Sequence, residues 1–151
     1  MNDVPIRRTS AWSAGYIESF LVDAVIPLRL ASLSKSGAPL LCSLWYIYEG
    51  GAICCATQRS AKLVSLLERD QRCAFEIAGD QPPYRGVRGQ GTATLSAADG
   101  GPVLLRLIDR YLHGRDSGFA QWLIARQEEE VAIRIQPTWL TSWDFSQRME
   151  R

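Results

Sequence analysis

The chain has little of what most metal, membrane and nucleic-acid sites require. It contains one histidine, His113, and four cysteines that form no Cys-x-x-Cys pair, so the spacing of metal ligands is absent and no metal is expected. No apolar run approaches the roughly 18 to 20 residues of a membrane span, and the polar N-terminal stretch lacks a signal-peptide core, so we expect a cytoplasmic protein. The 17 Lys and Arg residues nearly balance the 16 Asp and Glu residues, which argues against nucleic acid as the main partner.

A nucleophile paired with an acid or base is also missing. His113 is expected near the C-terminus of a helix, where a cation interacts favourably with the helix dipole. The acidic run over residues 128–130 is interpreted as a solvated face. The catalytic residues are therefore unknown from the sequence.

The cysteines all fall in strand-like segments, where free cysteine usually behaves as a small buried hydrophobic residue. They are Cys42, Cys54, Cys55 and Cys73. Neighbouring residues of a strand point to opposite faces, so no disulfide is expected between the adjacent Cys54 and Cys55.

Short apolar runs joined by glycine-containing turns dominate the sequence and predict strands. We expect strands over about 27–34, 40–48, 52–57, 72–79, 87–96 and 130–145, the last broken at Pro137. The first three should form a meander of antiparallel hairpins, because their connections are too short for parallel crossovers. Gly89 and Gly91 suggest a bulge or a close backbone approach. Helices are predicted over about 13–23, 60–70, 102–112 and 120–127.

Many strands with few helices predict a mainly β, α+β fold, a small closed barrel with helices packed around it. A length of 151 residues, without repeats or linkers, predicts a single domain. Its expected parts are a helix over about 13–23, the barrel over about 27–98, a helical segment over about 102–127, and a C-terminal strand and tail over 131–151.

The segment TQRSAKLV collects hydroxyls and cations where a strand ends and a helix begins. Thr57 and Ser60 supply hydroxyls, with Ser60 at the expected N-cap. Arg59 and Lys62 add positive charge beside the free amides and the dipole of the first helical turn. Such groups together make an anion site suited to a phosphate. In the alternative interpretation Ser60 only caps the helix and the two cations are solvated.

The order of these segments resembles the pyridoxamine 5′-phosphate oxidase-like family of FMN-binding split β-barrels. The resemblance covers about residues 28–95 and resumes near the C-terminus; it rests on LLCSLWYIYEGG, AICCAT, the SAK that opens a helix, PPYRGVRGQGTATL and IRIQPTWLTSWDF. It implies a split, antiparallel, Greek-key-like barrel with flanking helices. It also implies a homodimer that binds FMN, or a deazaflavin coenzyme, at the subunit interface.

The resemblance also implies which residues hold the cofactor. The backbone of the second strand would pass the flavin ring at Cys42, Ser43, Leu44, Trp45 and Tyr46. Ala56 and Thr57 would follow the ribityl chain and the phosphate. Ser60 and Lys62 match the family's Ser-x-Lys phosphate grip, and Arg59 would be an extra clamp. The spacing from Thr57 to Ser60 is one residue shorter than in the oxidase.

Three further positions correspond to the family's cofactor surroundings. Arg85 and Arg88 could approach the flavin or an acidic substrate, or be solvated strand residues. Trp143 could stack on the flavin ring, or be a core or interface tryptophan. Gly86 stands where the oxidase has a flavin-contacting Gln. The oxidase's Arg, His, Asp and Arg substrate clamp is replaced by DFSQRMER, in which Arg148 is a partial match, so the oxidase's own reaction is not predicted.

Several functions remain open after the resemblance. The first is an FMN-dependent oxidoreductase acting on a small substrate, in which the flavin carries the redox chemistry and the protein positions it. The second is a deazaflavin-dependent reductase, whose more acidic coenzyme would use the extra cations. A non-enzymatic flavin-binding or sensor module and a cofactor-free interaction protein are the others. Trp45, Trp139 and Trp143 are candidates for the dimer interface.

Overall fold

The computed structural model describes residues 4–150. The helices are α1 (Ala14–Asp23), α2 (Lys62–Arg69), α3 (Gly100–Leu112), α4 (Gly118–Ile124) and α5 (Ser146–Met149), with a 3-10 turn over Gln127–Glu129. The strands are β1 (Leu28–Leu33), β2 (Pro39–Leu44), β3 (Ile47–Glu49), β4 (Ala52–Gln58), β5 (Arg72–Ala78), β6 (Arg85–Ser96) and β7 (Glu130–Asp144). No helix within this part of the chain is long and apolar enough to cross a membrane.

The strands form one antiparallel sheet of seven, in the order β2-β1-β5-β6-β7-β4-β3. Its two outer strands, β2 and β3, do not pair with each other, so the barrel is split rather than closed. The split β-barrel with flanking helices is therefore confirmed, and the closed barrel predicted from strand content alone is wrong.

The predicted strand over 40–48 is two strands, which is where the barrel splits. β2 pairs with β1, whereas β3 pairs with β4 at the other end of the sheet, so the expected three-strand meander is wrong. The cause is Tyr46, whose side chain is fully buried. Its backbone N–H donates to the Tyr111 hydroxyl at 3.2 Å, and its own hydroxyl donates to the Leu21 carbonyl at 2.7 Å. These bonds tie the chain between β2 and β3 to α3 and α1, so one strand does not continue through it.

The core lies inside the curved sheet and is closed by two amphipathic helices. Alternate residues of β1 and β5 point inward, among them Leu30 and Phe75. Helix α1 begins after Ser13, whose hydroxyl accepts from the backbone N–H of Tyr16, and it buries Ile17. Helix α2 buries an apolar face that includes Leu67.

The long strand β7 is continuous, so the predicted break at Pro137 is wrong. Gln90 lies opposite Trp139 and Gly91 lies opposite Pro137, which leaves Thr138 as an extra residue in a β-bulge. Pro137 is tolerated at such an irregularity because a proline supplies no ladder N–H. The bulge expected from the two glycines is confirmed by the register shift between Gln90 and Gly91. The backbone also approaches closely there, since a Cβ at Gly91 would lie 2.6 Å from the Gln136 backbone oxygen of β7.

The four cysteines are free, as expected, and three of them are buried. Burial raises the pKa of the Cys73 thiol to about 12 and raises the pKa of Cys55 further. Such thiols stay protonated and unreactive at neutral pH. His113 follows α3 as its C-cap, in agreement with its predicted place at a helix end.

Candidate cofactor-binding site

A cavity of about 340 Å³ lies at the split in the barrel. The ends of β2 and β4 form two of its walls, and α3 and α4 form a third. The lining residues are Pro27, Ser43, Leu44, Trp45, Ala56, Thr57, Gln58, Leu104, Leu107, Phe119, Leu123 and Glu130. Two stretches predicted separately to hold a flavin, residues 43–45 and residues 56–57, therefore come together around one cavity.

The strand edges at this cavity have backbone groups without a strand partner. Among the strands of residues 4–150, β2 pairs only with β1. Strand β3 covers β4 only over residues 52–54, so residues 55–58 pair with β7 alone. Unpaired strand edges present N–H and C=O groups that a planar, polar ligand can bind without any particular side chain. This arrangement suits a heterocycle held mainly by backbone groups.

The opposite wall is aromatic and apolar. The Trp45 ring stacks on Tyr111 of α3, with centroids 5.0 Å apart and 7° between the ring planes. Phe119 meets Trp45 edge-on at 6.3 Å and stacks on Trp122 at 6.1 Å. Leu104 packs beneath them in a second small core. An aromatic wall of this kind is a favourable neighbour for a conjugated ring.

Two of the predicted ring contacts lie outside the cavity lining. Cys42 is half-buried on β2 and packs against the main core. Tyr46 is fully buried, and its backbone N–H already donates to Tyr111. Of the five residues predicted along the second strand, the structure brings Ser43, Leu44 and Trp45 to the cavity.

The polar end of the cavity holds a chain of three side chains. The Gln58 amide nitrogen donates to Glu130 Oε1 at 2.6 Å, and Arg126 donates to the Gln58 amide oxygen at 3.1 Å. Glu130 is only 4% exposed, so the interpretation of the whole acidic run as a solvated face is wrong for this residue. The cause is strand register, because Glu130 begins β7 directly opposite Gln58. Burial raises the pKa of the Glu130 carboxyl above its ordinary value.

Arg59, Ser60 and Lys62 form a cationic corner just beyond Gln58, outside the cavity lining. Helix α2 is capped at Ala61 without any side-chain hydrogen bond, so the predicted N-cap role of Ser60 is wrong. The hydroxyl of Ser60 is therefore not used by a cap. Lys62 is exposed and belongs to none of the ion pairs within residues 4–150. Arg59 bonds the acidic run through its backbone, donating to the Glu129 carbonyl at 2.8 Å.

The remaining predicted site residues lie elsewhere on the chain. Arg88 is exposed on the outer face of the sheet, where it lines a different cavity of about 420 Å³. Its guanidinium lies 5.2 Å from the Trp143 ring, which in turn covers Gly86. Arg85 lines a groove beside α1. Within one chain, Arg85, Arg88 and Trp143 are thus not brought to the cavity at the split.

Comparisons with known proteins support the fold. No protein-family model and no curated protein matches the chain. Among solved structures, a conserved hypothetical protein from Mycobacterium tuberculosis is similar with a TM-score of 0.77 and 23% identity, over 96% of this chain and 92% of that one. An F420 reductase is similar with a TM-score of 0.68 and 20% identity, over 80% of this chain and 93% of that one.

A protein from Listeria innocua named as a putative pyridoxamine 5′-phosphate oxidase is similar with a TM-score of 0.64. It is 15% identical to this chain, and the match covers 87% of this chain and 97% of that one. At these identities the likeness establishes the fold alone. That fold is the split barrel of the family suggested by the sequence, so the resemblance is confirmed at the level of the fold.

Proposed function

We propose that this chain binds a flavin-type coenzyme, with FMN as the first candidate, and acts as an oxidoreductase on a small substrate. The observation that carries the proposal is the cavity at the split, where two unpaired strand edges face an aromatic wall close to a cationic corner. Solved structures of the same fold include an F420 reductase, which supports a coenzyme of this class.

Each part of the coenzyme has a counterpart in the chain. The ring would lie against Trp45 and Phe119, held by backbone groups of β2 and β4. The phosphate would lie at the corner with Arg59, Ser60 and Lys62, where hydroxyl, cations and the first-turn amides of α2 favour an anion. A bound flavin would supply the electron or hydride transfer, whereas the chain would position it and exclude water from it.

The proposal includes a homodimer with the coenzyme between subunits, because Arg85, Arg88 and Trp143 lie away from the cavity of their own chain. The exposed outer face of β2 supports this: Leu41 is 72% exposed and borders the same cavity as Arg88 and Trp139. Sedimentation equilibrium of the wild type and of Leu41→Glu tests it. We expect the wild type to be a dimer and Leu41→Glu to be a monomer, because the substitution places a charge on this face. A monomeric wild type would contradict the dimer.

A deazaflavin coenzyme is the second candidate. The structural likeness to an F420 reductase favours it. An acidic coenzyme tail would also find cations that form no ion pair within residues 4–150, among them Lys62 and Arg88. A cytoplasmic location belongs to the same proposal, because four free thiols suit a reducing compartment.

Fluorescence titration of the purified protein with FMN, with FAD and with a deazaflavin coenzyme tests the proposed function. We expect saturable binding of at least one of them, in the micromolar range or tighter. The complex is then mixed with NADPH, and bleaching of the coenzyme band reports turnover. Binding without any bleaching by NADPH, oxygen or quinones would favour a sensor module. No binding of the three coenzymes at 100-fold excess would overturn the proposal.

A further inference from the structure

We infer that Glu130 recognises the sugar-alcohol chain of the coenzyme, accepting hydrogen bonds from its hydroxyl groups with the carboxylate oxygen that the protein leaves free. This inference deepens the proposed function and rests on it. Glu130 belongs neither to the phosphate grip nor to the aromatic wall.

The position of Glu130 along the cavity matches that part of the ligand. Glu130 lies opposite Gln58, the last residue of β4, and both residues line the cavity. Trp45 lies at the aromatic wall, and the cationic corner begins at the next residue after Gln58. In FMN the polyhydroxyl chain joins the ring to the phosphate. A group between the aromatic wall and the cationic corner therefore faces that chain.

The hydrogen bonds of Glu130 leave one oxygen for a ligand. Oε1 accepts from the Gln58 amide at 2.6 Å, and Gln58 is itself held by Arg126 at 3.1 Å. Oε2 makes no hydrogen bond to any residue of the described chain. Oε2 keeps some accessible surface, because it is not among the fully buried side-chain atoms without a partner, while burial of the residue, which is 4% exposed, carries a desolvation cost for the carboxylate. Hydroxyl donors of a ligand would remove that cost, and the side chain is already oriented to accept them.

The charges around Glu130 fix which end of the ligand enters. Arg126, reached through Gln58, and Glu129 are the charged groups that influence its carboxyl. The Arg59 side chain contacts the Glu128 carbonyl at 3.4 Å. A carboxylate inside the cavity repels a phosphate there, so the phosphate is directed to the cationic corner. Glu130 therefore sets both the contact with the sugar-alcohol chain and the orientation of the ligand.

The inference is tested by measuring how tightly wild type and Glu130→Gln bind three ligands, each of which lacks one more part of FMN. FMN has ring, sugar-alcohol chain and phosphate; riboflavin lacks the phosphate; lumiflavin lacks the chain as well. We expect Glu130→Gln to weaken the binding of FMN and of riboflavin about tenfold, near the lower end for a hydrogen bond to a charged group. The affinity for lumiflavin should change less than about twofold. Glu128→Gln, on the exposed neighbouring carboxylate, is the matched control and should change none of the three.

Gln58→Leu provides a second variant, because it removes the group that orients Glu130 and should produce the same dependence on the ligand. Equal weakening of all three ligands, or no weakening of any, would overturn the inference while leaving the proposed function intact. Failure of the wild-type protein to bind FMN, FAD and a deazaflavin coenzyme would instead overturn the proposed function, and the inference with it.

Discussion

Trp45 and Tyr111 lie face to face at the split in the barrel, with ring centroids 5.0 Å apart. The same Tyr111 hydroxyl donates to the Ile26 carbonyl at 2.8 Å and accepts from the Tyr46 backbone N–H at 3.2 Å. One residue of α3 thus holds both the cavity wall and the point where β2 ends. The wall is therefore built into the folded chain and needs no ligand to form.

Tyr111→Phe should destabilise the protein while keeping the stacked wall. The substitution retains the ring but leaves the partly buried backbone groups of Tyr46 and Ile26 without this partner, which costs about 1–3 kcal/mol. Urea unfolding measures the change in the free energy of unfolding. Tyr84→Phe, on an exposed ring, is the control. A change of less than about 0.5 kcal/mol for Tyr111→Phe would show that the hydroxyl is not needed at the split.

Gly89→Ala should destabilise the bulged part of the sheet. A Cβ there would collide with the Trp139 carbonyl oxygen and lie 2.9 Å from the Phe75 ring, so strand β6 would have to shift. Overpacking of this kind costs about 1–3 kcal/mol. Thermal unfolding measures it, with Gly79→Ala as control because nothing lies within 4 Å of a Cβ at that position. Equal melting temperatures for the two variants would contradict the described packing.

The stability of the protein should depend on pH through Glu130. Burial raises the pKa of this carboxyl in the folded state above the ordinary 4.5. Its contribution to stability is then complete below about 4.5 and is lost as the pH rises through the folded-state value. Glu130→Gln does not ionise, so its stability relative to wild type should rise from pH 4 to pH 7. Urea unfolding across that range measures the trend, with Glu128→Gln as control; a difference that stays flat or falls would contradict it.

Local sequence signals were sufficient for most elements of the fold. The start of α1 near Ser13, the bulge at Gly91 and the strand-to-helix corner at Lys62 depend on neighbouring residues, so the sequence predicts them. The break in the second strand was missed because it depends on Tyr111, which lies 65 residues away from Tyr46. Apolar character continues through Trp45 and Tyr46, so no local signal marks the break.

The candidate site was predictable to a similar degree. Residues 43–45 and 56–57 were predicted to be site residues and do share a cavity. Glu130 was missed because its partner Gln58 is 72 residues away, and a run of three glutamates favours solvent. The one available signal was its position directly before the apolar run VAIRI. Arg85, Arg88 and Trp143 remain predictions that depend on a second subunit.

If Lys62 binds the phosphate of a flavin coenzyme, as proposed, its loss should separate two ligands that differ only in that phosphate. Lys62→Ala should weaken FMN binding by about 1.5–3 kcal/mol, the range for a hydrogen bond to a charged group. It should leave the affinity for riboflavin unchanged, because riboflavin has no phosphate. Lys35→Ala, at the other lysine of the chain, is the control. Calorimetric titration of both ligands measures this: a loss of affinity confined to FMN is the expected result, and equal affinities of wild type and Lys62→Ala for FMN would contradict phosphate binding by Lys62.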